Sequence, residues 1–186
     1  DPDGIELYKH VVAKALNAAK QYQHLARQHA GSVAELLQHA SQTKKAFDKI
    51  VENFCEIRGH RHSADDPEVE IPEVVIPDTL KRVARIVEKL QLCPTGPTDS
   101  VACIFDVVRG MIRCCSMTDV ALVVQTVTEC DSITIVRVKD RFVANPTAGG
   151  WRDCQICFFL NSDTNKHVCE LQVVHEYLYN NRAKLP

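Results

Sequence analysis

Apolar residues early in the chain recur at three- and four-residue steps, the spacing of one face of an α-helix. The pattern predicts an amphipathic helix over residues 5–29. Ser32, followed three residues later by Glu35, is typical of the capping box that begins a second helix. We therefore expect two long helices joined by a short turn, which form a helical hairpin over residues 1–58.

Residues 59–78 differ in character, because they combine an acidic pair, Asp65 and Asp66, with three prolines. Proline lacks a backbone N–H and interrupts hydrogen-bonded ladders, so this segment is predicted to be a surface connector. Asp78 or Thr79 is then expected to cap a third helix. The polar face of that helix carries four cations: Lys81, Arg82, Arg85 and Lys89.

Beyond Pro97 the pattern changes to short apolar runs that are typical of strands, with helical spacing at 119–127 and from about residue 174. The predicted strands cover residues 110–115, 133–138, 154–160 and 167–173. A polar run over 161–166 separates the last two and favours an antiparallel hairpin. Residues 79–186 are thus expected to form an α+β domain with a mixed, mainly antiparallel sheet flanked by helices.

The composition is that of an ordinary globular chain: of 186 residues, 45% are hydrophobic and 25% are charged, and the formal net charge is −2. This near balance excludes an overall electrostatic attraction to nucleic acid or to an anionic membrane, so phosphate binding requires a local cluster of cations. No run approaches the roughly 20 apolar residues of a membrane-spanning helix. Because the chain begins with Asp1 rather than Met, we expect a fragment of a longer protein.

Nine cysteines, an odd number set mostly in apolar runs, are typical of buried reduced thiols and predict a cytoplasmic protein. Cys154 and Cys157 have the C-x-x-C spacing of a redox pair or half of a zinc site, but in a strand they point to opposite faces. Cys55, His60 and His62 match no standard zinc spacing. We therefore expect no metal at the thiols.

Two carboxylates within apolar strands are the candidates for chemistry, because an unpaired buried charge is strongly unfavourable. Asp106 interrupts an apolar run, and Glu170 alternates with the apolar residues of its strand. Two such acids beside cations match a Mg²⁺–polyphosphate site, since Mg²⁺ takes one or two protein carboxylates and completes its shell with water and phosphate oxygens. The alternative is structural ion pairing of Asp106 with Arg109 or Arg113, and of Glu170 with Arg137 or Lys139.

The single tryptophan, Trp151, follows Gly149 and Gly150, where the backbone can approach a ligand closely. It either stacks on a base or covers the core beside a turn. Arg137 and Lys139 concentrate positive charge at the end of the preceding strand.

In their order along the chain, these residues resemble the RelA/SpoT-type (p)ppGpp synthetase domain, a nucleotidyltransferase-like α+β fold. The resemblance covers roughly residues 79–182. It rests on four stretches: Asp106-x-x-Arg109-Gly110-x-x-Arg113, Arg137-Val138-Lys139-Asp140, Asn145-Pro146-x-x-Gly149-Gly150-Trp151-Arg152-Asp153, and Glu170-Leu171-Gln172 with His175.

The resemblance implies that Asp106 and Glu170 are catalytic acids that hold Mg²⁺, and that Glu170 activates an acceptor 3′-hydroxyl. Trp151 stands where the family stacks a tyrosine on guanine. The implied reaction is transfer of pyrophosphate from ATP to a nucleotide or an RNA end. The residues implied to contact phosphate or nucleotide also include Lys81, Arg82, Arg85, Lys89, Arg109, Arg113, Arg137, Lys139, Arg152, Gln172 and His175.

Three departures from the family pattern support a second hypothesis. The R-x-K-x-x-x-S motif for ATP is absent, Val173-Val174 follows Gln172 where the family has an arginine, and Asp153-Cys154-Gln155 replaces S-L-H. A catalytically inactive domain that binds a nucleotide or a protein partner is therefore the alternative. The N-terminal helical hairpin is the candidate surface for such a partner.

Overall fold

The computed structural model describes residues 1–62, 72–92 and 101–182. The acidic pair of the predicted connector and the side chains of His60 and His62 lie outside these described residues. The helices are α1 (Pro2–Tyr22), α2 (Val33–His62), α3 (Val83–Leu92), α4 (Met117–Thr128) and α5 (Glu176–Arg182). The strands are β1 (Glu73–Val75), β2 (Arg109–Cys114), β3 (Ile133–Asp140), β4 (Cys154–Leu160) and β5 (Cys169–His175). None of the helices in the described ranges combines the length and the apolar character that crossing a bilayer demands.

The five strands form one sheet in the order β1-β2-β5-β4-β3. β2 and β5 are parallel, and the other neighbouring pairs are antiparallel. The predicted α+β class with a mixed, mainly antiparallel sheet is therefore confirmed. The polar run after β4 forms the expected hairpin, in which Lys166 has a φ of 48°.

Three helices, α1, α2 and α4, cover one face of the sheet. α1 packs mainly on α4 and β3, whereas α2 lies over α4, β1 and β2. Phe47 of α2 stacks on Phe158 of β4, with ring centroids 5.8 Å apart. The two N-terminal helices thus bury their apolar faces in the same core as α4 and the sheet.

The start of α2 follows the predicted capping pattern with a shift of one residue. Ser32 Oγ accepts a hydrogen bond from the Glu35 N–H at 3.1 Å. The Glu35 carboxylate accepts from the Gly31 N–H at 2.8 Å, one residue before the N-cap.

The predicted start of the third helix is wrong, because α3 begins at Val83 and neither Asp78 nor Thr79 caps it. The Lys81 N–H instead donates to the Val107 carbonyl oxygen at 3.1 Å, which ties this segment to the residues before β2. Lys81 and Arg82 therefore precede the helix, while Arg85 and Lys89 lie on it.

The predicted connector also contains a strand that the proline pattern concealed. β1 lies between Pro72 and Pro77 and pairs with Met111–Arg113 of β2. An edge strand needs hydrogen bonds on one side only, so prolines just outside its three residues are compatible with it.

A β-bulge in β3 changes which side chains face each side of the sheet. Ile135 is paired with Phe158, but Arg137 rather than Val136 is paired with the next residue, Cys157. The extra residue reverses the alternation, so Lys139 lies beside Gln155 on the face opposite to α1, α2 and α4.

The cysteines of the C-x-x-C sequence belong to separate clusters on the two faces of β4. Cys154 is part of the main core, and Cys157 packs with Phe105 and Phe159 on the other side. Burial raises the pKa of Cys154 to about 12 and that of Cys157 to about 11, so both thiols are protonated near neutral pH.

Gln28, in the link between α1 and α2, fastens two segments that lead into the sheet. Its Nε2 donates to the carbonyl oxygens of Ile104 at 2.9 Å and Val168 at 2.8 Å. Its Oε1 accepts from the Val168 N–H at 2.9 Å. Because Gln28 is buried, these bonds hold the start of β5 beside the segment that precedes β2.

Gly110 is predicted to tolerate no side chain at the contact between β2 and α2. A Cβ there would lie 3.2 Å from Phe47 Cε1 and 3.4 Å from Ile76 Cγ1. Gly110→Val should lower the free energy of unfolding by about 1–3 kcal/mol, measured by urea denaturation. Gly149→Val is the control, since a Cβ at Gly149 meets nothing within 4 Å. Equal losses in the two variants would contradict this account of the packing.

His167 is predicted to make stability depend on pH. The ring is buried, and burial lowers its pKa from 6.5 to about 4. Below pH 6.5 His167 of the unfolded chain is protonated, whereas in the folded chain it stays neutral down to about pH 4. Stability is therefore lost as the pH falls through this window. Lowering the pH from 7.5 to 5 should reduce the free energy of unfolding by about 2 kcal/mol through His167.

The measurement is urea denaturation of the wild type and of His167→Leu at both pH values. The variant should lose less stability on acidification than the wild type. His24→Leu, at an exposed histidine, is the control and should keep the wild-type pH dependence. A His167→Leu profile that parallels the wild type would refute the assignment.

Candidate functional site

The face of the sheet opposite to α1, α2 and α4 carries a polar cavity at β2 and β5. The parallel register of these strands sets Arg109 beside Glu170 and Met111 beside Gln172. Together with the segment from β1 to α3, they line a cavity of about 710 Å³. Its charged and amide-bearing lining residues are Lys81, Arg82, Arg85, Asp106, Arg109, Glu170 and Gln172. The two acids expected to converge therefore share one cavity.

Asp106 is held by two ammonium groups from the segment around α3. Lys81 Nζ lies 2.7 Å from Asp106 Oδ2, and Lys89 Nζ lies 3.0 Å from Oδ1. Burial alone would raise the pKa of Asp106, but the hydrogen bonds and charges of the two lysines outweigh it and lower the pKa. Asp106 is thus ionised and paired with lysines rather than with the side chains of Arg109 or Arg113. Arg109 donates to the Asp106 backbone oxygen at 3.2 Å.

Glu170 is held by amides instead of cations. Gln155 Nε2 donates to Glu170 Oε2, and Gln172 Nε2 donates to Oε1 at 3.0 Å. The residue is 6% exposed, and among the described residues no ion-pair partner contacts its carboxylate. The two acids of the cavity are therefore stabilised by different means.

The basic residues that line the cavity come from the two positions before α3, from the first turn of α3 and from β2. Arg85 pairs with Glu88 on the exposed side of α3. Arg82 has no ion-pair partner in the described part of the chain. With Lys81 and Arg109 they make four basic lining residues against two acidic ones, a surplus that suits a polyanion.

Several residues implied by the resemblance lie outside the lining of this cavity. Arg113 pairs with Glu73, and its guanidinium lies 4.9 Å from the Tyr179 ring centroid. Arg137 lies over Phe105 at 4.5 Å and donates to Cys157 Sγ at 3.3 Å. Both arginines are therefore already engaged in packing.

Lys139 is on the same face of the sheet as Glu170, one strand further along than Gln155. Burial, together with the charges of Arg137 and Arg141, lowers the pKa of Lys139, and Glu170 acts in the opposite direction. Lys139 is thus electrostatically coupled to Glu170 without lining the cavity.

The loop before β4 and the end of β5 carry the remaining implied residues. The turn before Trp151 has Gly150 at a φ of 76°, which favours glycine, and the Trp151 N–H donates to Thr147 Oγ1 at 2.9 Å. Arg152 donates to the Phe142 carbonyl oxygen at 2.6 Å. His175 accepts from the Tyr177 N–H at 3.2 Å, and burial lowers its pKa. None of these three side chains is part of the cavity lining.

Mg²⁺ is the metal implied by the resemblance, and the donor set is compatible with it. Asp106 and Glu170 offer two carboxylates to one cavity, and such hard oxygen ligands suit Mg²⁺ when phosphate and water complete its shell. In the described ranges no group of three His, Cys, Asp or Glu side chains could hold a metal without other ligands. Two carboxylates alone would leave most of a Mg²⁺ shell to water and phosphate oxygens.

Three residues next to the cavity were given no role by reasoning from the sequence. Gln155 contacts Glu170, Arg141 donates to Gln155 Oε1 at 3.0 Å, and Arg141 also pairs with Asp153 at 2.9 Å. The signal that could have revealed them was a buried polar residue, Gln155, in the apolar run of β4.

The sequence comparisons give no match: no protein-family profile and no curated protein sequence matches the chain at a significant level.

The fold of the chain is similar to that of several solved structures. Small alarmone synthetase 1 from Bacillus subtilis has a TM-score of 0.61 at 15% identity, over 79% of this chain and 73% of that chain. Small alarmone synthetase 2 from the same organism has a TM-score of 0.53 at 21% identity, over 82% and 83%. A GTP pyrophosphokinase family protein from Streptococcus pneumoniae has a TM-score of 0.52 at 16% identity, over 81% and 76%. The chain therefore shares the fold of these synthetases, and the resemblance is confirmed at the level of the fold.

The lysine pair on Asp106 leads to a prediction about anion binding without metal. In EDTA, a phosphate chain must compete with Asp106 for Lys81 and Lys89. Asp106→Asn should therefore raise the affinity for tripolyphosphate by roughly five- to tenfold, measured by isothermal titration calorimetry.

Glu170→Gln is the matched control. It replaces the other acid of the same cavity, but that carboxylate contacts amides, so the substitution releases no lysine. Its gain in tripolyphosphate affinity should stay within about twofold. Equal gains in the two variants would show that charge alone, rather than release of the lysines, governs binding.

Proposed function

We propose that the chain is a Mg²⁺-dependent pyrophosphotransferase that moves pyrophosphate from ATP to the 3′-hydroxyl of a nucleotide or of an RNA end. The observation that carries this proposal is a single cavity in which a basic wall faces two carboxylates, Asp106 and Glu170, within the synthetase fold. Small alarmone synthetase 1 from B. subtilis was solved with its product pppGpp and with AMPCPP, which supports nucleotide substrates for this fold.

The cations of the cavity bind and orient the phosphate chain of the donor. Arg82, Arg85 and Arg109 supply fixed positive charge, while Lys81 and Lys89 move from Asp106 to the phosphates. This transfer of the lysines frees the Asp106 carboxylate. A Mg²⁺ held by Asp106 and Glu170 would neutralise the charge that develops on the phosphate oxygens.

Glu170 serves as the proton acceptor for the attacking hydroxyl. The hydroxyl oxygen forms a bond to the β-phosphorus of ATP, the bond from that phosphorus to the α,β-bridging oxygen breaks, and AMP leaves. The hydroxyl proton passes to the Glu170 carboxylate, which Gln155 and Gln172 hold in place. The apolar part of the lining, which includes Val75, Leu80 and Met111, suits a base or ribose.

A second candidate function is a catalytically inactive domain that binds nucleotide or a protein partner. It is favoured by the occupation of both Asp106 oxygens by lysines. In that case the lysines stay on Asp106 when nucleotide binds, and the exposed faces of α1 and α2 are the surface for a partner.

Incubation with ATP labelled in the α-phosphate, Mg²⁺ and GDP, GTP, ADP or bulk tRNA distinguishes the two functions. We expect AMP release that depends on one of these acceptors. Asp106→Asn and Glu170→Gln should each reduce the rate at least about a hundredfold.

Glu129→Gln, which alters an exposed acid at the end of α4, is the control and should keep the wild-type rate. Intact ATP with every acceptor, together with a rise in melting temperature when ATP is added, would favour the inactive binding domain.

A further inference from the structure

A chain of polar contacts begins at Arg141, which directly follows β3, passes through Gln155 on β4 and ends at Glu170 on β5. Arg141 NH1 donates to Asp153 Oδ1 at 2.9 Å and to Oδ2 at 3.2 Å. Arg141 NH2 donates to Gln155 Oε1 at 3.0 Å, and Gln155 Nε2 donates to Glu170 Oε2. Asp153, Gln155 and Glu170 are 0%, 5% and 6% exposed, so water does not compete freely for these bonds.

We propose that Gln155 is a positioning residue for Glu170, and that Arg141 fixes the orientation in which its carboxamide acts. The inference rests on the proposed role of Glu170 as proton acceptor. It concerns residues that do not themselves touch the substrate.

The orientation of Gln155 follows from the chemistry of its two neighbours. A guanidinium has donors and no acceptor, so the carboxamide oxygen must face Arg141. The NH₂ group then faces Glu170 and donates to its carboxylate oxygen. An isolated carboxamide can rotate by half a turn, but here the reversed orientation would set donor against donor and acceptor against acceptor.

Arg141 is itself held by Asp153, through both its side chain and its backbone. Its guanidinium spans both oxygens of Asp153, and its backbone N–H donates to the Asp153 carbonyl oxygen at 2.9 Å. The buried Asp153 carboxylate thus holds the guanidinium of Arg141 in place, and Gln155 lies between this guanidinium and Glu170.

An amide between the cation and the acid serves the chemistry proposed for Glu170. A guanidinium in direct contact would neutralise the carboxylate, whereas an amide orients it and leaves its charge available. Gln172 holds the second oxygen in the same manner at 3.0 Å. Glu170 is therefore aimed into the cavity by two neutral donors.

Gln155→Met tests the proposal, because methionine keeps the length of the side chain and removes both polar groups. We expect kcat for pyrophosphate transfer to fall at least about tenfold, while KM for ATP stays within about twofold. Gln155→His should recover part of the loss, since a neutral imidazole has one donor and one acceptor. Gln125→Met is the matched control, because Gln125 donates to Glu129 on the exposed surface of α4.

An unchanged kcat in Gln155→Met would overturn the proposal. So would a fall in kcat matched by an equal rise in KM and no recovery in Gln155→His, which indicates general disruption of the site.

The Gln155 side-chain amide gives a readout that is independent of activity. Its ¹H–¹⁵N NMR signal, identified by its loss in Gln155→Met, should exchange slowly with water in the wild type and rapidly in Arg141→Met. Unchanged exchange in Arg141→Met would overturn the role of Arg141. If the wild type transfers no pyrophosphate, the proposed function fails, and these exchange rates alone decide whether Arg141 orients Gln155 against Glu170.

Discussion

The parallel pairing of β2 with β5 is the constraint on which the rest of the site depends. The two acids lie far apart in the chain, and this pairing brings the segment before β2 beside the start of β5. The Glu170 N–H donates to the Val108 carbonyl oxygen at 3.0 Å, just after Asp106. Gln28 strengthens the junction from the helix link. Loss of this register would move the segment that carries Asp106 away from Glu170.

The same junction carries two distinct electrostatic arrangements. Asp106 is matched by ammonium groups on flexible stems, which a phosphate chain can attract away. Glu170 is matched by the amides of Gln155 on β4 and Gln172 on β5, and Arg141 in turn holds the Gln155 amide. Asp106 is therefore stabilised by positive charge and Glu170 by neutral hydrogen-bond donors.

The sequence predicted the features that depend on local pattern. The bounds of β4 follow from an apolar run between polar turns, and the alternation in β5 placed Glu170 and Gln172 together on one face. It missed β1, because a three-residue edge strand is defined by its partner. The lysine partners of Asp106 depend on how residues 78–82 meet the segment before β2, which no local pattern contains. Periodicity found α1 and α2 but could not tell that their apolar faces pack on the sheet and α4.

The bulge between Ile135 and Arg137 determines which face of the sheet each later side chain of β3 points to. Without the added residue, Lys139 would turn into the apolar interior. Asp140, which accepts a hydrogen bond from the Tyr8 hydroxyl at 2.9 Å, would turn outward. A deletion of one residue at this position would therefore invert a whole half-strand, so length is more tightly constrained here than side-chain identity.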